Sequence, residues 1–262
     1  MVVKIDFQNA FKTISREAVL GEAREHFPAL ARWVTWCYQS PSNLQFGDAI
    51  LQSSTGVQQG DPLGPLLFSA GVEPLAAGLK QGSVDFSIFY LDDGVLAGSL
   101  ADVSDALTKL QQAAAALGLA VNLSKSEAIA VGMTSPADVA TKLPPALVQS
   151  ADGSSRILTD FEFLGAAIGR PAHLQAHAAA RVAGARQLLE AVGALPDPQV
   201  ALCFGRLCSL GAHHAMLPAC RHAAALQAFD ELVQESFSAL SGLHLEPAQW
   251  QQAAHGFAQA GL

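Results

Sequence analysis

Apolar and polar positions alternate near the start of the chain. Val3, Ile5 and Phe7 fall on one side and Lys4 and Asp6 on the other, the pattern of a strand with one buried face. The period then lengthens. Ser15 suits a helix N-cap followed by a stripe of Val19, Leu20, Ala23 and Phe27, and Pro28 opens a second helix with Leu30, Trp33, Val34 and Cys37 on one side. Ser40-Pro41-Ser42-Asn43 closes it. Leu44 to Phe46 and Ala49 to Gln52, around Gly47-Asp48, read as a short hairpin. From Thr55 to Pro65, three glycines and two prolines exclude regular structure, and Pro65 suits the first turn of a helix through Leu67, Gly71, Leu75 and Leu79.

The centre of the chain carries Phe89-Tyr90-Leu91-Asp92-Asp93-Gly94. Apolar runs on both sides of an acidic pair ending in Gly predict a β-hairpin with Asp92 and Asp93 at or beside its bend. If alternation continues through the bend, Ile88, Tyr90 and Asp92 share a face and Leu91 and Asp93 point the other way, which makes Asp92 the stronger ligand candidate. Val103, Leu107, Leu110, Ala114 and Leu117 predict a helix ended by Gly118. Leu119 to Leu123 and Ala128 to Val131 read as strands joined by Ser124-Lys125-Ser126. Thr134 to Asp160, with Pro136, Pro144, Pro145 and Gly153, reads as a surface excursion, and Phe161 to Gly165 is expected to pair back onto the sheet. From Ala172 the chain is Ala-rich and helical, with breaks near Pro196-Asp197-Pro198 and Pro218. The fold class is therefore α+β, an antiparallel sheet with packed helices over 1–170 followed by an all-helical lobe over 171–262.

Composition narrows the chemistry. At 262 residues and 50% hydrophobic content, the chain can bury a large core. Its net charge is −8. Eleven basic and seventeen acidic residues leave −6 over 1–170, and four against six leave −2 over 171–262, with no basic tract of the kind that neutralises phosphates. Four cysteines without a signal peptide or an apolar span point to reduced thiols in an intracellular protein of the nucleus or cytoplasm, with no membrane role. Cys203, Cys208, His213, His214, Cys220 and His222 include no C-x-x-C pair, so their spacing argues against zinc.

Five stretches in order resemble the palm motifs of reverse transcriptases, especially those of non-LTR retrotransposons. Asp6-Phe7-Gln8-Asn9-Ala10-Phe11 resembles the first catalytic motif, Gly56 to Phe68 the second and Phe89 to Gly94 the third. Gly118 to Lys125 is similar to the fourth, and Phe163-Leu164-Gly165 to the fifth, the primer grip. Short matches recur by chance, but five in register form a joint signal. The helical tail resembles a thumb more loosely.

The resemblance implies an RNA-directed DNA polymerase that uses two Mg²⁺ ions, with Mn²⁺ as the alternative, on an RNA template with a DNA primer and deoxynucleotides. Asp6, Asp92 and Asp93 would be the metal ligands, with the Phe7 carbonyl as a further one. Phe11 would exclude a ribose 2′ hydroxyl, while Ala10, Gln59, Gly60 and Tyr90 would line the nucleotide site. Lys125 would assist the leaving pyrophosphate. Gly64 departs from the Ser common in relatives.

That family carries a basic fingers segment before the first motif, whereas Asp6 lies five residues after Met1. The expectation is a truncated palm and thumb with impaired substrate binding. Two other readings stand beside it: a non-catalytic retroelement remnant serving as a protein- or RNA-binding scaffold, and a metal-dependent phosphohydrolase, which would leave the second and fifth motifs unexplained. Oligomeric state is not readable.

Overall fold

A computed structural model describes residues 1–132, 134–205 and 223–253. By internal contacts the chain divides into two compact units, Met1–Thr159 and Asp160–Leu262. The first holds a four-stranded antiparallel sheet in the order β4-β5-β1-β6, formed by β1 (Val2–Ile5), β4 (Phe86–Tyr90), β5 (Asp93–Ala97) and β6 (Glu127–Ile129). Ile5 pairs with Gly94 and Lys4 with both Val95 and Glu127. Alternation then sorts the faces. Val3, Ile5, Leu96 and Ala128 are fully buried on the core side, while Lys4, Val95 and Glu127 lie on the outer side.

Helices cover the core face. These are α1 (Ala10–Thr13), α2 (Arg16–His26), α3 (Pro28–Tyr38), α4 (Gly64–Lys80) and α5 (Leu100–Ala116), whose Ile14-flanked, Val19, Leu67, Phe68, Leu107 and Leu110 positions join Val3 and Ile5 in one cluster. Local signals explain their ends. The Ser15 side chain accepts from the Ala18 amide and that of Ser99 from Asp102, Pro28 and Pro65 sit in first turns, and Gly118 at φ +74° follows α5. In α3 the buried stripe is Val34 and Tyr38, with Leu30 and Cys37 partly covered. Trp33 is instead 57% exposed and lies against Trp36, so the expected stripe is rotated by part of a turn. A separate hairpin, β2 (Ser42–Phe46) and β3 (Ala49–Ser53), forms at Gly47-Asp48 as expected.

Three sequence expectations are corrected. Leu119 to Leu123 is no ladder strand, making only the single bridge Phe7–Val121, because Asn122 turns the chain and accepts the Ser126 amide. The segment after Thr134 is no surface excursion. Pro136 and Pro145 each open a helix, α6 (Pro136–Lys142) and α7 (Pro145–Val148), and Val139, Leu143, Leu147 and Val148 enter the main core. Met133 lies outside the described residues. Finally, β7 (Phe161–Phe163) pairs with β8 (Ala166–Ile168) in a two-stranded sheet of its own rather than with the four-stranded sheet.

The second unit continues with α8 (Pro171–Gly193), helical residues 198–205 (α9), α10 (Ala223–Ser241) and α11 (Pro247–Ala253). Ala185 and Leu189 of α8 pack on Phe229 and Leu232 of α10. The sequence-based division at Arg170 places the β7–β8 hairpin with the sheet, whereas by contacts it groups with these helices. The predicted break at Pro218, and Cys208, His213, His214, Cys220 and His222, lie outside the described residues. Among the described residues no helix is long and apolar enough to cross a membrane.

Candidate active site

Strands β4 and β5 are joined by two residues, Leu91 and Asp92, and closed by the pair Tyr90–Asp93. Leu91 takes φ +56°, a conformation that costs an L side chain roughly 1–2 kcal/mol and is retained only where the surroundings fix it. Here its side chain is anchored against the main core. The tight turn also breaks the alternation expected from sequence. Because Asp93 stands opposite Tyr90, the two share a face, and the β1 register puts that face on the side of Lys4. Asp93 therefore joins the outer side with Tyr90 instead of opposing it, and Asp92 occupies the bend itself.

Asp6 follows the last residue of β1, beside the register partner of Gly94. Its backbone is held on both sides. The amide donates to Ser126 Oγ at 3.1 Å and the carbonyl accepts from the Asn122 amide at 2.8 Å, and Ser126 is fully buried. Phe7, also buried, stacks on Phe89 with ring centroids 6.3 Å apart, which backs the acidic hairpin with a ring from the segment after β1.

The carboxylates sense one another. Burial pushes the Asp93 carboxyl above the usual range, the charge of Asp92 adds to this and that of Asp6 adds further, while Lys4 opposes them. Among the described residues no three acidic, His or Cys side chains are grouped so that they could hold a metal ion by themselves. Few carboxylates at a strand end fit a hard ion such as Mg²⁺, which keeps waters and takes further oxygens from phosphate.

The Thr55–Pro65 loop docks behind Phe11. The Gly56 amide donates to Ile14 O at 2.9 Å and the Val57 amide to Phe11 O at 2.7 Å. Gly56, at φ +68°, has no room for a side chain, since a Cβ would lie 2.3 Å from Phe11 O. The Phe11 ring stacks on the fully buried Phe68, and Ala10 is buried beside it in α1. Gln59 and Gly60 are exposed at the loop tip. Gly64 packs tightly too, with Gln58 O 3.0 Å from where a Cβ would stand.

Residues 1–168 match the family of reverse transcriptases (RNA-dependent DNA polymerase). The chain belongs to that family. The match ends at Ile168, the last residue of β8, so it takes in every strand among the described residues. No curated protein matches the chain. Among solved structures, telomerase from Candida albicans in complex with a TWJ fragment of telomeric RNA is similar at 10% identity and a TM-score of 0.45, over 93% of this chain and 46% of that one. Telomerase from Candida tropicalis, in the corresponding complex, is similar at 11% identity and a TM-score of 0.39, over 92% and 44%. The chain spans less than half the length of these telomerase chains.

The remaining sequence-predicted residues fall in two places. Lys125 is exposed in the turn that also holds Asp6, its amide donating to Asn122 O at 3.1 Å. Phe163, Leu164 and Gly165 form the end of the β7–β8 hairpin in the second unit, with Leu164 and Gly165 at φ +49° and +79°, the two-positive-φ turn that matches strand twist. There the hairpin is tied to α8, as Arg181 Nη2 donates to Gly165 O at 3.3 Å and His177 Nε2 lies 3.4 Å from Glu162.

Several residues were not singled out from sequence. Arg156 donates to the carbonyls of Leu123, Ser124, Ser126 and Ala146 and so clasps the Lys125 turn. Arg16, Tyr38 and Asp61 brace the Gly56–Gly60 loop. One signal was readable: Arg16 puts a cation in the first turn of α2, against the helix dipole, which needs a tertiary reason.

Proposed function

We propose that this reverse transcriptase is the polymerase of a non-LTR retrotransposon, adding deoxynucleotides to a primer 3′ hydroxyl on an RNA template. The observation that carries the reading is the placement of Asp92 at the β4–β5 bend and Asp93 at the start of β5, next to the end of β1 that leads into Asp6, within the family match over residues 1–168; the raised Asp93 carboxyl agrees with it, since a site that crowds acids is relieved by cations. Mg²⁺, with Mn²⁺ as the alternative, fits these donors, and two such ions when bound stabilise the attacking and leaving oxygens of an in-line displacement.

The chain's own residues have distinct tasks. Asp6, Asp92 and Asp93 hold and orient the cations, with the Phe7 carbonyl as a further donor. Phe11 closes off the space of a ribose 2′ hydroxyl. Ala10, Gln59, Gly60 and Tyr90 line the nucleotide site, and Lys125 brings a positive charge or a proton to the pyrophosphate. Phe163, Leu164 and Gly165 grip the primer. In this reading 1–170 is the palm and 171–262 a thumb-like lobe.

Primer extension on an RNA template, in Mg²⁺ and in Mn²⁺, tests the proposal. Extension is expected from the wild type and a loss of at least roughly 100-fold from Asp92→Asn, the scale of removing one charge-stabilising group from an active site. Extension that survives the substitution overturns the ligand assignment. No extension from a folded wild type favours the non-catalytic scaffold, a reading supported by the net charge of −8 and the lack of a phosphate-neutralising tract.

A further inference from the structure

Two side chains, one from α2 and one from α3, converge on the loop that carries Gln59 and Gly60. Arg16 is buried, and its guanidinium ties the end of β3 to the start of the loop. Nε donates to Gly56 O at 2.9 Å, Nη1 to Ser53 O at 2.8 Å and Nη2 to Ser53 Oγ at 2.9 Å. The same guanidinium carbon lies 5.3 Å from the centroid of the Tyr38 ring.

Tyr38 holds the loop further along. Its hydroxyl accepts from the Gln58 amide at 3.2 Å and donates to the Asp61 carboxylate, whose Oδ1 accepts from the Leu63 amide at 2.9 Å. One hydroxyl thus spans the neck of the turn Gln58–Asp61, and Gln59-Gly60 is the tip of that turn. The tip has no packing of its own, since nothing lies within 4 Å of a Cβ placed on Gly60. Its position is inherited from the neck.

We propose that Arg16 and Tyr38 are positioning residues that set the Gln59-Gly60 tip against the incoming nucleotide, an inference that rests on the polymerase reading above. A structural origin in core filling alone does not explain the chemistry chosen. Burying an arginine and a tyrosine hydroxyl is costly unless they are hydrogen-bonded, and here Arg16 bonds to Ser53 at the end of β3 and to Gly56 of the loop, while both partners of the Tyr38 hydroxyl are loop residues. Burial and the hydrogen bond to Asp61 push the Tyr38 phenol up to about 12, which keeps its proton in place across the neutral range.

Tyr38→Phe tests the proposal because it deletes one oxygen and leaves the ring over Arg16. Hydrogen exchange on the full chain is read alongside dNTP kinetics. The Gln58 amide is expected to exchange about tenfold faster, the scale of one hydrogen bond, while the β1 and β5 amides are unchanged. KM for the dNTP is expected to rise about tenfold with kcat within about twofold, a split that a general loss of folding does not produce. Asp61→Asn, whose amide offers one acceptor oxygen where the carboxylate uses Oδ1 for the Leu63 amide and Oδ2 for the Tyr38 hydroxyl, is expected to raise KM in the same direction. Unchanged Gln58 exchange overturns the hold on the loop, and unchanged KM with faster exchange overturns the nucleotide role. A wild type that extends no primer defeats the polymerase reading and the nucleotide role together, and the exchange readout then decides the hold on the loop alone.

Discussion

The rings of Phe11 and Phe68 lie 4.4 Å apart, centroid to centroid, with planes inclined by 12°, and Phe68 is wholly buried in α4 while Phe11 is only partly covered. One face of Phe11 is committed to the core. On the proposed polymerase reading, the rest of the ring is left to discriminate a sugar. Phe11→Ala is therefore expected to act twice, lowering the preference for dNTP over rNTP by at least about tenfold and lowering stability by roughly 2–3 kcal/mol for a partly buried aromatic. Single-nucleotide incorporation and urea unfolding measure the two effects separately.

Asp93 gives a pH dependence whose sign is opposite to that of a salt-bridged acid. Its pKa in the folded chain is raised, so its favourable contribution is full below the ordinary aspartate range near about 3.9 and is lost as pH rises through the raised value. At neutral pH the ionised group works against folding. Asp93→Asn is expected to melt on the order of 1 °C higher at pH 7, a modest gain because the site is partly solvated, and to lose that advantage at about pH 3. An equal gain at both pH values would remove like-charge crowding as its cause.

Glycines 56 and 60 differ in what they forbid. Gly56 combines φ +68° with carbonyl atoms of Phe11 and Lys12 inside 2.5 Å of a Cβ, whereas Gly60 at φ +95° faces open space. Gly60→Ala is expected to cost only the backbone term, roughly 1–2 kcal/mol, while Gly56→Ala exceeds about 3 kcal/mol by forcing the loop off α1. Chemical denaturation of both variants checks the ordering.

Arg156 clasps four carbonyls around the Lys125 turn, and a lysine cannot reproduce that fork. Arg156→Lys and Arg156→Ala are both expected to destabilise, by roughly 2–4 kcal/mol for the alanine, and to speed amide exchange at Lys125 and Ser126. Exchange that stays slow in the alanine variant would show that Asn122 alone secures the turn.

What was legible in the sequence was what short-range chemistry decides. Ser15, Pro28, Pro65 and Gly118 mark helix ends through groups within a few residues, and Gly47-Asp48 and the acidic pair mark bends for the same reason. Long-range pairing was not legible. Phe161 to Phe163 alternates like a strand of the main sheet, but alternation does not name a partner, and β8 supplies one five residues away. Pro136 and Pro145 read as breakers because a proline looks the same before a helix as inside a loop. The face of Asp93 was misread because a two-residue turn resets the count that alternation relies on. Arg16, Tyr38 and Arg156 bond to backbone atoms tens of residues away, which leaves only an isolated charge or aromatic in the sequence.

β1 sits inside the sheet with partners that lie far along the chain, Gly94 for Ile5 and Glu127 for Lys4. Ribosomes add about 5–20 residues per second, so roughly 6–25 s separate the synthesis of Lys4 from that of Glu127. Through that interval Val2 to Ile5 lacks at least one of its two partner strands, the kind of open edge that nascent-chain chaperones shield. The backbone that carries Asp6 is made early and secured late, and slower synthesis at low temperature lengthens its wait.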